Sequence, residues 1–152
     1  MTWFRSLFCQ LALVSTLLTS CMGLTSDEPA APTYDVRSAV VLGGPNTPPE
    51  LLSGIGDRIN AAINATVRTE VYPRVVLTIR IASLQKATGF DKKRNIAKIN
   101  IDAASVDDGS VIAVSSLVVT STANEQAMAD QILAEDIAAR IRSAFKLNAG
   151  RG

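Results

Sequence analysis

The alternation of apolar and polar residues is clearest in the middle of the chain, where it predicts two β-strands. The first follows Pro73, and the second covers residues 96–106. Their apolar sets are Val75, Leu77, Ile79 and Ile81 in the first strand, and Ala97, Ile99, Ile101 and Ala103 in the second. Each strand should therefore place one apolar face against a core and turn the other towards solvent or a partner.

Two more strands are predicted over residues 36–42 and 111–120, because both segments are rich in β-branched residues and end at turn residues. Asp108-Gly109 is a preferred pair for a two-residue type I′ turn. Such a turn would pair Val106 with Val111 and Ile99 with Val118. The core face of the last strand would then comprise Ile112, Val114, Ser116 and Val118.

This register predicts an exposed apolar patch on the opposite side of the sheet. We take the patch as a candidate partner-binding surface, formed by Val76, Val111, Leu117 and Val119. Three alternatives remain open: a helix could cover that side, two copies could pair there, or an unpaired strand edge could accept a partner strand.

Helical periodicity separates these strands. Thr47, Pro48 and Glu50 predict a helix start with a capping box, followed by apolar residues on one stripe to Thr66. A second capping box at 122–125 predicts a last helix that ends near Phe145.

The resulting order, βαβββα, predicts an α+β fold. We expect a two-layer sandwich in which two helices cover one face of a four-stranded mixed sheet. The domain should span residues 36–147, with 148–152 as a frayed C-terminus.

The N-terminal residues indicate where the protein is located. Arg5 precedes the apolar run 7–18, which is typical of a signal peptide. The run ends in Leu18-Thr19-Ser20-Cys21, which resembles the lipobox of bacterial lipoproteins. The resemblance implies that residues 1–20 are removed and that Cys21 is lipidated, with palmitate among its acyl chains. Residues 21–35, rich in Pro, Ala, Ser and Thr, would form a flexible tether.

By the same analogy, Met22 stands where an Asp would favour the inner membrane. We therefore expect an outer-membrane lipoprotein that faces the periplasm. Multiple acyl chains would hold it firmly, whereas one chain gives only marginal binding.

Composition excludes several classes of function. After loss of Arg5 the chain has equal numbers of basic and acidic residues, which argues against nucleic acid as a partner. The chain has no His, and therefore lacks the commonest general base and metal ligand. Cys9 lies in the presumed signal peptide, so Cys21 has no partner for an internal disulfide.

Candidate chemical sites in the domain have simpler structural interpretations. Residues 43–45 (Gly-Gly-Pro) lack the spacing of a phosphate loop, and Asp102, Asp107 and Asp108 are too few for a calcium site. No Ser or Thr lies beside an evident base. We therefore predict a chain that is not an enzyme and needs no cofactor or metal.

The segment 85–95 is a predicted polar loop with an unusual composition. Four cations, Lys86, Lys92, Lys93 and Arg94, surround Phe90. Such a loop could contact anionic lipid headgroups, lipopolysaccharide (LPS) phosphates or an acidic partner. The alternative is a solvated loop whose Phe90 folds back onto the sheet.

The lipobox residues 18–21 together with the element order of residues 36–146 resemble the LPS-assembly lipoprotein family and the auxiliary lipoproteins of ABC-type lipid transporters. The resemblance implies an accessory or scaffold subunit of an envelope assembly or transport complex, with a protein partner. The alternative function is a lipid- or LPS-binding module that acts through the loop 85–95.

Overall fold

The computed structural model describes residues 32–148. Its strands are β1 (Asp35–Gly43), β2 (Arg74–Thr88), β3 (Arg94–Ser105) and β4 (Val111–Thr122), and its helices are α1 (Pro49–Ala65) and α2 (Ala129–Ala144), with a 3-10 turn, Gln126–Met128, before α2. The predicted signal peptide, Cys21 and all of the predicted tether before residue 32 lie outside the described residues.

The four strands form one sheet in the order β1-β2-β3-β4. β1 runs parallel to β2, because α1 connects them as a crossover, and the other two pairs are antiparallel hairpins. The predicted fold class is confirmed: an α+β fold with a four-stranded mixed sheet and the element order βαβββα.

The core lies between the helices and one face of the sheet, called here the covered face. The apolar sets predicted for β2 and β3 are all buried on it. The helices contribute Leu51, Ile55, Ile59, Ala62 and Ile63 from α1, and Ala129, Leu133, Ala134, Ile137, Ala138 and Ile141 from α2. The alternate residues of the strands and the apolar stripes of the helices thus pack together in one core.

Both predicted capping boxes are wrong. α1 begins at Pro49, and no side chain caps it. Pro48 has an extended ψ of 133° because a residue before proline is kept out of the helical region. Thr122 belongs to β4, where it pairs with Arg94, so α2 begins only after the 3-10 turn and also lacks a side-chain cap.

The predicted register between β3 and β4 is also wrong. The strands are connected by five residues, 106–110, instead of a two-residue turn, and the Ser105 N–H donates to the Ser110 carbonyl at 2.8 Å. Further along, Ile99 pairs with Leu117 instead of Val118. A shift of one residue turns every side chain of a strand to the other face.

A β-bulge in β4 causes this reversal. Ala104 pairs with Val111, whereas Ala103 pairs with Ala113, so Ile112 is an extra residue in β4. Without the bulge, Val114 would face the core as predicted. With it, the core side of β4 carries Ala113, Leu117 and Val119.

The C-terminal segment closes the end of the domain near the start of β1. Phe145 and Leu147 are buried, and the Phe145 ring lies 6.3 Å from that of Tyr34. The Asn148 N–H donates to Thr66 Oγ1 at 2.8 Å. The Asn148 side-chain amide donates to the Ala65 carbonyl at 3.3 Å, so the first residue of the segment predicted to be frayed is bonded to α1, and residues 149–152 lie outside the described residues.

Candidate interaction surfaces

The face of the sheet opposite the helices, called here the open face, is built from the alternate residues of all four strands. Within residues 32–148 no element covers it. Three rows of paired residues cross it: Ser38, Val76, Ala104 and Val111; Val40, Thr78, Asp102 and Val114; and Leu42, Arg80, Asn100 and Ser116. Its centre is therefore polar and its two outer strands are largely apolar.

The polar groups at the centre of the open face bind one another. Arg80 Nη1 donates to Asp102 Oδ2 at 3.1 Å, and Ser116 Oγ donates to Asn100 Oδ1 at 2.7 Å. Lys98 of β3 also lies on the open face, opposite Val118 of β4, and is exposed. Because the central pairs are partly exposed, they contribute little stability and stay accessible to a second molecule.

The outer edge of the open face carries an exposed apolar stripe on β4, called here the β4 stripe. It comprises Val111, Ile112, Val114 and Val118, and Val114 and Val118 are 70% and 64% exposed. Val40 and Leu42 form a smaller exposed apolar pair on β1. Several large aliphatic side chains on one strand face are unusual at a solvated surface.

The four residues predicted to bind a partner are divided between the two faces. Val111 is exposed and Val76 half-buried, both on the open face. Leu117 packs against the core, and Val119 is only 3% exposed. Their predicted exposure is wrong, because the bulge at Ile112 turns both towards the helices. Sequence reasoning missed Val114 and Val118, although the apolar character of both faces of 111–119 was the available signal.

The second candidate surface is the end of the β2–β3 hairpin. The predicted loop 85–95 is shorter than expected: β2 continues to Thr88 and β3 starts at Arg94, so only 89–93 connects them. The Lys92 N–H donates to the Gly89 carbonyl at 3.3 Å, which places Phe90 and Asp91 at the apex of a tight turn. Gly89 has a φ of 87°, which glycine adopts at no steric cost. Residues 89–94 are called here the hairpin tip.

Phe90 is fully exposed at this apex, so the alternative in which it folds back onto the sheet is wrong. The cations differ in their surroundings. Lys86 Nζ donates to Asp130 Oδ2 at 2.8 Å and Lys93 Nζ to Asn124 Oδ1 at 3.4 Å. Lys92 and Arg94 are exposed, and neither forms an ion pair with any described residue.

A buried amide positions the hairpin tip. Asn95, 1% exposed, accepts a hydrogen bond on Oδ1 from the Ala87 N–H at 3.1 Å. Ala87 has a φ of 53°, a left-handed conformation that costs a non-glycine residue roughly 1–2 kcal/mol. Thr88 Oγ1 donates to the Arg94 carbonyl at 2.9 Å. These bonds hold the base of the tip in one conformation.

The carboxylates weighed as a cation site do not converge. Asp102 pairs with Arg80, and Asp107 pairs with Arg74. Hydrogen bonds from the backbone N–H and the hydroxyl of Ser110 lower the pKa of Asp108 below its usual value. Among the described residues no three His, Cys, Asp or Glu side chains come together as a group that could hold a metal ion.

An open cavity of about 330 Å³ lies between the β1–α1 turn and the part of β2 that extends beyond β1. It is lined by residues 44–47 and 81–84, none of which carries an ionisable side chain. The turn residues Gly43, Gly44 and Pro45 thus border a shallow depression between two elements.

No helix in the part of the chain that the structure describes has both the length and the apolar character needed to cross a membrane.

No protein-family model matches the chain, and no curated protein matches it. Solved structures with a similar fold include PelC from Paraburkholderia phytofirmans, a dodecamer, with 16% identity, a TM-score of 0.48 and coverage of 76% of this chain and 89% of that one. Protein XCC0632 from Xanthomonas campestris, of the DUF330 family, has 12% identity, a TM-score of 0.48 and coverages of 78% and 84%. A candidate lipoprotein from Caulobacter crescentus has 11% identity, a TM-score of 0.40 and coverages of 74% and 82%. At these identities and TM-scores the similarity bears on the fold alone.

Proposed function

We propose that this chain is a non-catalytic lipoprotein of the bacterial envelope that serves as an accessory or scaffold subunit of an assembly or transport complex. Its partner docks on the open face, and the acylated Cys21 keeps the domain at the membrane. The proposed location is the periplasmic side of the outer membrane, in keeping with Met22 after the lipidated cysteine.

The observation that carries this proposal is the β4 stripe. Val114 and Val118 are 70% and 64% exposed on a strand whose other face packs against the core. Covering aliphatic surface stabilises a complex by about 25 cal/mol per Å² of apolar area removed from water. The stripe is rimmed by the polar centre of the open face, as binding surfaces commonly are.

The polar centre adds specificity to this surface. In the free domain Arg80 and Asp102 form an ion pair, and Ser116 donates a hydrogen bond to Asn100, so each polar side chain already has a partner. A partner can therefore cover them without leaving an unpaired charge, which would cost several kcal/mol. Charged groups at such a position fix the register of a complex more than its affinity.

Site-specific photocrosslinking tests the proposal. A photoreactive phenylalanine analogue replaces Val118 on the open face or, as the control, Arg140, which is exposed on α2. Both full-length proteins are irradiated in envelope membranes. We expect a discrete crosslinked species from position 118 only, and its loss when Val114→Asp is added.

Two results would contradict the proposal. One is an identical set of crosslinks from positions 118 and 140, and the other is a species from position 118 that survives Val114→Asp. A Cys21→Ala chain shows whether capture depends on the anchor, because an unanchored domain should lose the partner without any change at the open face.

A further inference from the structure

We propose that the hairpin tip is a contact site for an anionic lipid surface, in which Phe90 enters the headgroup region while Lys92 and Arg94 meet lipid phosphates. The docking function proposed above does not use this segment. The two surfaces can therefore be tested separately.

The first argument is the exposure of Phe90. The ring is fully exposed at the apex of a tight turn, where no other described side chain covers it. Leaving a benzyl side chain in water forgoes the favourable free energy that removal of its apolar surface from water would provide. In segments that lie at a membrane surface, apolar side chains such as Phe, Trp and Leu enter the boundary between headgroups and acyl chains, while neighbouring Lys and Arg side chains remain at the phosphates.

The second argument is the charge around that ring. Lys92, Lys93 and Arg94 follow Phe90, and Asp91 is the only acidic residue within the tip. Asp91 Oδ1 accepts a bond from the Lys93 backbone N–H at 3.3 Å. Because Lys92 and Arg94 form no ion pair among residues 32–148, their charges are free to attract phosphate.

The third argument is the fixed base of the tip. Asn95 and Thr88 hold the last residues of the hairpin, and the Lys86–Asp130 pair ties β2 to the start of α2. Three left-handed residues, Ala87, Gly89 and Lys92, shape the turn. A presented group that is already ordered loses less entropy when it binds. Asn95 is thus a positioning residue for the contact.

These contacts reduce the set of residues that the sequence predicts for contact with anionic lipid. Lys86 is engaged with Asp130, and Lys93 is half-buried and directed at Asn124, so both support the hairpin. Phe90, Lys92 and Arg94 make the contact itself.

A tryptophan reporter tests the proposal in the full chain. Trp3 is the only natural tryptophan, so Trp3→Phe with Phe90→Trp places a single reporter at the apex. The protein is inserted into vesicles of phosphatidylcholine alone or mixed with phosphatidylglycerol. We expect the emission to shift to the blue, and acrylamide quenching to fall, only in the anionic vesicles.

Two matched variants assign the effect. Lys92→Ala with Arg94→Ala should reduce the inserted population roughly 30-fold, since each cation near an anionic surface contributes about fivefold. Lys98→Ala with Arg140→Ala removes the same charge from exposed positions outside the tip and should leave the shift intact. A reporter at Val71, another fully exposed apolar side chain, should not respond.

Each contrary result overturns the proposal. Equal emission in the two kinds of vesicle excludes an anionic lipid contact, and a shift that survives loss of Lys92 and Arg94 excludes their role. An equal shift from position 71 indicates general adsorption of the domain. A shift produced by inorganic phosphate without vesicles indicates a small-anion site instead. Val118→Asp, which should abolish docking on the open face, should not alter the response.

Discussion

The two faces of the sheet are made by the same four strands but follow different rules. On the covered face the central residues of β2 and β3 are aliphatic and inaccessible, and both helices pack on them. On the open face the same strands carry Arg80, Asn100 and Asp102, which bind side chains of their own face, while β4 carries exposed valines. The covered face thus specifies the fold, whereas the residues of the open face are not constrained by packing against the helices.

The comparison is sharpest at two adjacent valines in β4. Val119 is 3% exposed on the covered face and Val118 is 64% exposed on the open face. We expect Val119→Asp to lower the free energy of unfolding by at least about 3 kcal/mol, because a carboxylate would be buried without a partner. Val118→Asp should change it by less than about 0.5 kcal/mol and abolish docking. Urea unfolding of both variants measures the difference.

Equal destabilisation by the two substitutions would contradict the observed register. A reversed result, with Val118→Asp the more damaging, would instead support the register expected from a two-residue turn. The same pair of proteins therefore tests both the bulge at Ile112 and the assignment of the open face.

The contrast between β4 and its neighbours explains how far the sequence could predict this fold. In β2 and β3, most of the positions between the buried aliphatic residues are polar. Only one face of these strands could therefore be buried, and the predicted core face is confirmed. In 111–119 both alternating sets are largely apolar, so the pattern did not choose between them. The choice depended on the length of one turn and one extra residue, neither of which leaves a periodic signal.

The second prediction concerns Asn95, a buried polar residue at the end of the covered face nearest the hairpin tip. Asn95 and Ser121 are the buried polar residues of the described chain, and they lie opposite each other in the β3–β4 register. Asn95→Ala leaves the Ala87 N–H without its acceptor, so we expect a loss of about 1–3 kcal/mol in the free energy of unfolding.

Asn100→Ala is the matched control on the open face. It removes one partly exposed bond to Ser116, and it should cost about 0.5 kcal/mol. If both asparagines cost the same, the buried amide is not specifically needed. Asn95→Ala should also weaken the lipid response of the hairpin tip, whereas Asn100→Ala should not.

The third prediction concerns Gly109, in the turn that precedes the bulge. Its φ of 74° suits glycine, and an added Cβ would meet no neighbour, so any penalty arises from the backbone alone. Gly109→Ala should therefore cost roughly 1 kcal/mol, measured by thermal unfolding. Gly44→Ala provides the control, since Gly44 also has open space around its Cβ position and is not among the positive-φ residues. Equal losses would mean that the left-handed turn does not limit stability.

The candidate surfaces were less predictable than the fold. Composition identified the aromatic and basic character of 85–95, and Phe90, Lys92 and Arg94 are indeed exposed together. Sequence could not show that Lys86 has a partner in Asp130, 44 positions away along the chain. Nor could it show that the strands continue to residues 88 and 94, because the covered side of the hairpin end carries polar residues such as Asn95, so the apolar alternation is lost there.

The smallest expected effect concerns the helices that cover the core. Glu135 on α2 accepts hydrogen bonds from Arg142 at 2.7 Å and from Arg58 of α1 at 2.8 Å. The Arg142 bond above all, with a smaller contribution from Arg58, lowers the pKa of Glu135 below its usual 4.5, although partial burial opposes the shift. A lowered folded-state pKa adds stability above about pH 4.5, which is lost as the pH falls through the folded value.

Glu135→Gln should therefore flatten the pH dependence of unfolding below pH 4.5 and cost less than about 1 kcal/mol at pH 7, because the side chain is half exposed. Urea unfolding between pH 3 and pH 7 measures both quantities. Arg142→Ala should reproduce most of the flattening, and the double variant should add little to either single one. A loss of several kcal/mol would instead mean that this carboxylate, and not the apolar layer beneath it, attaches α1 to α2 over the covered face.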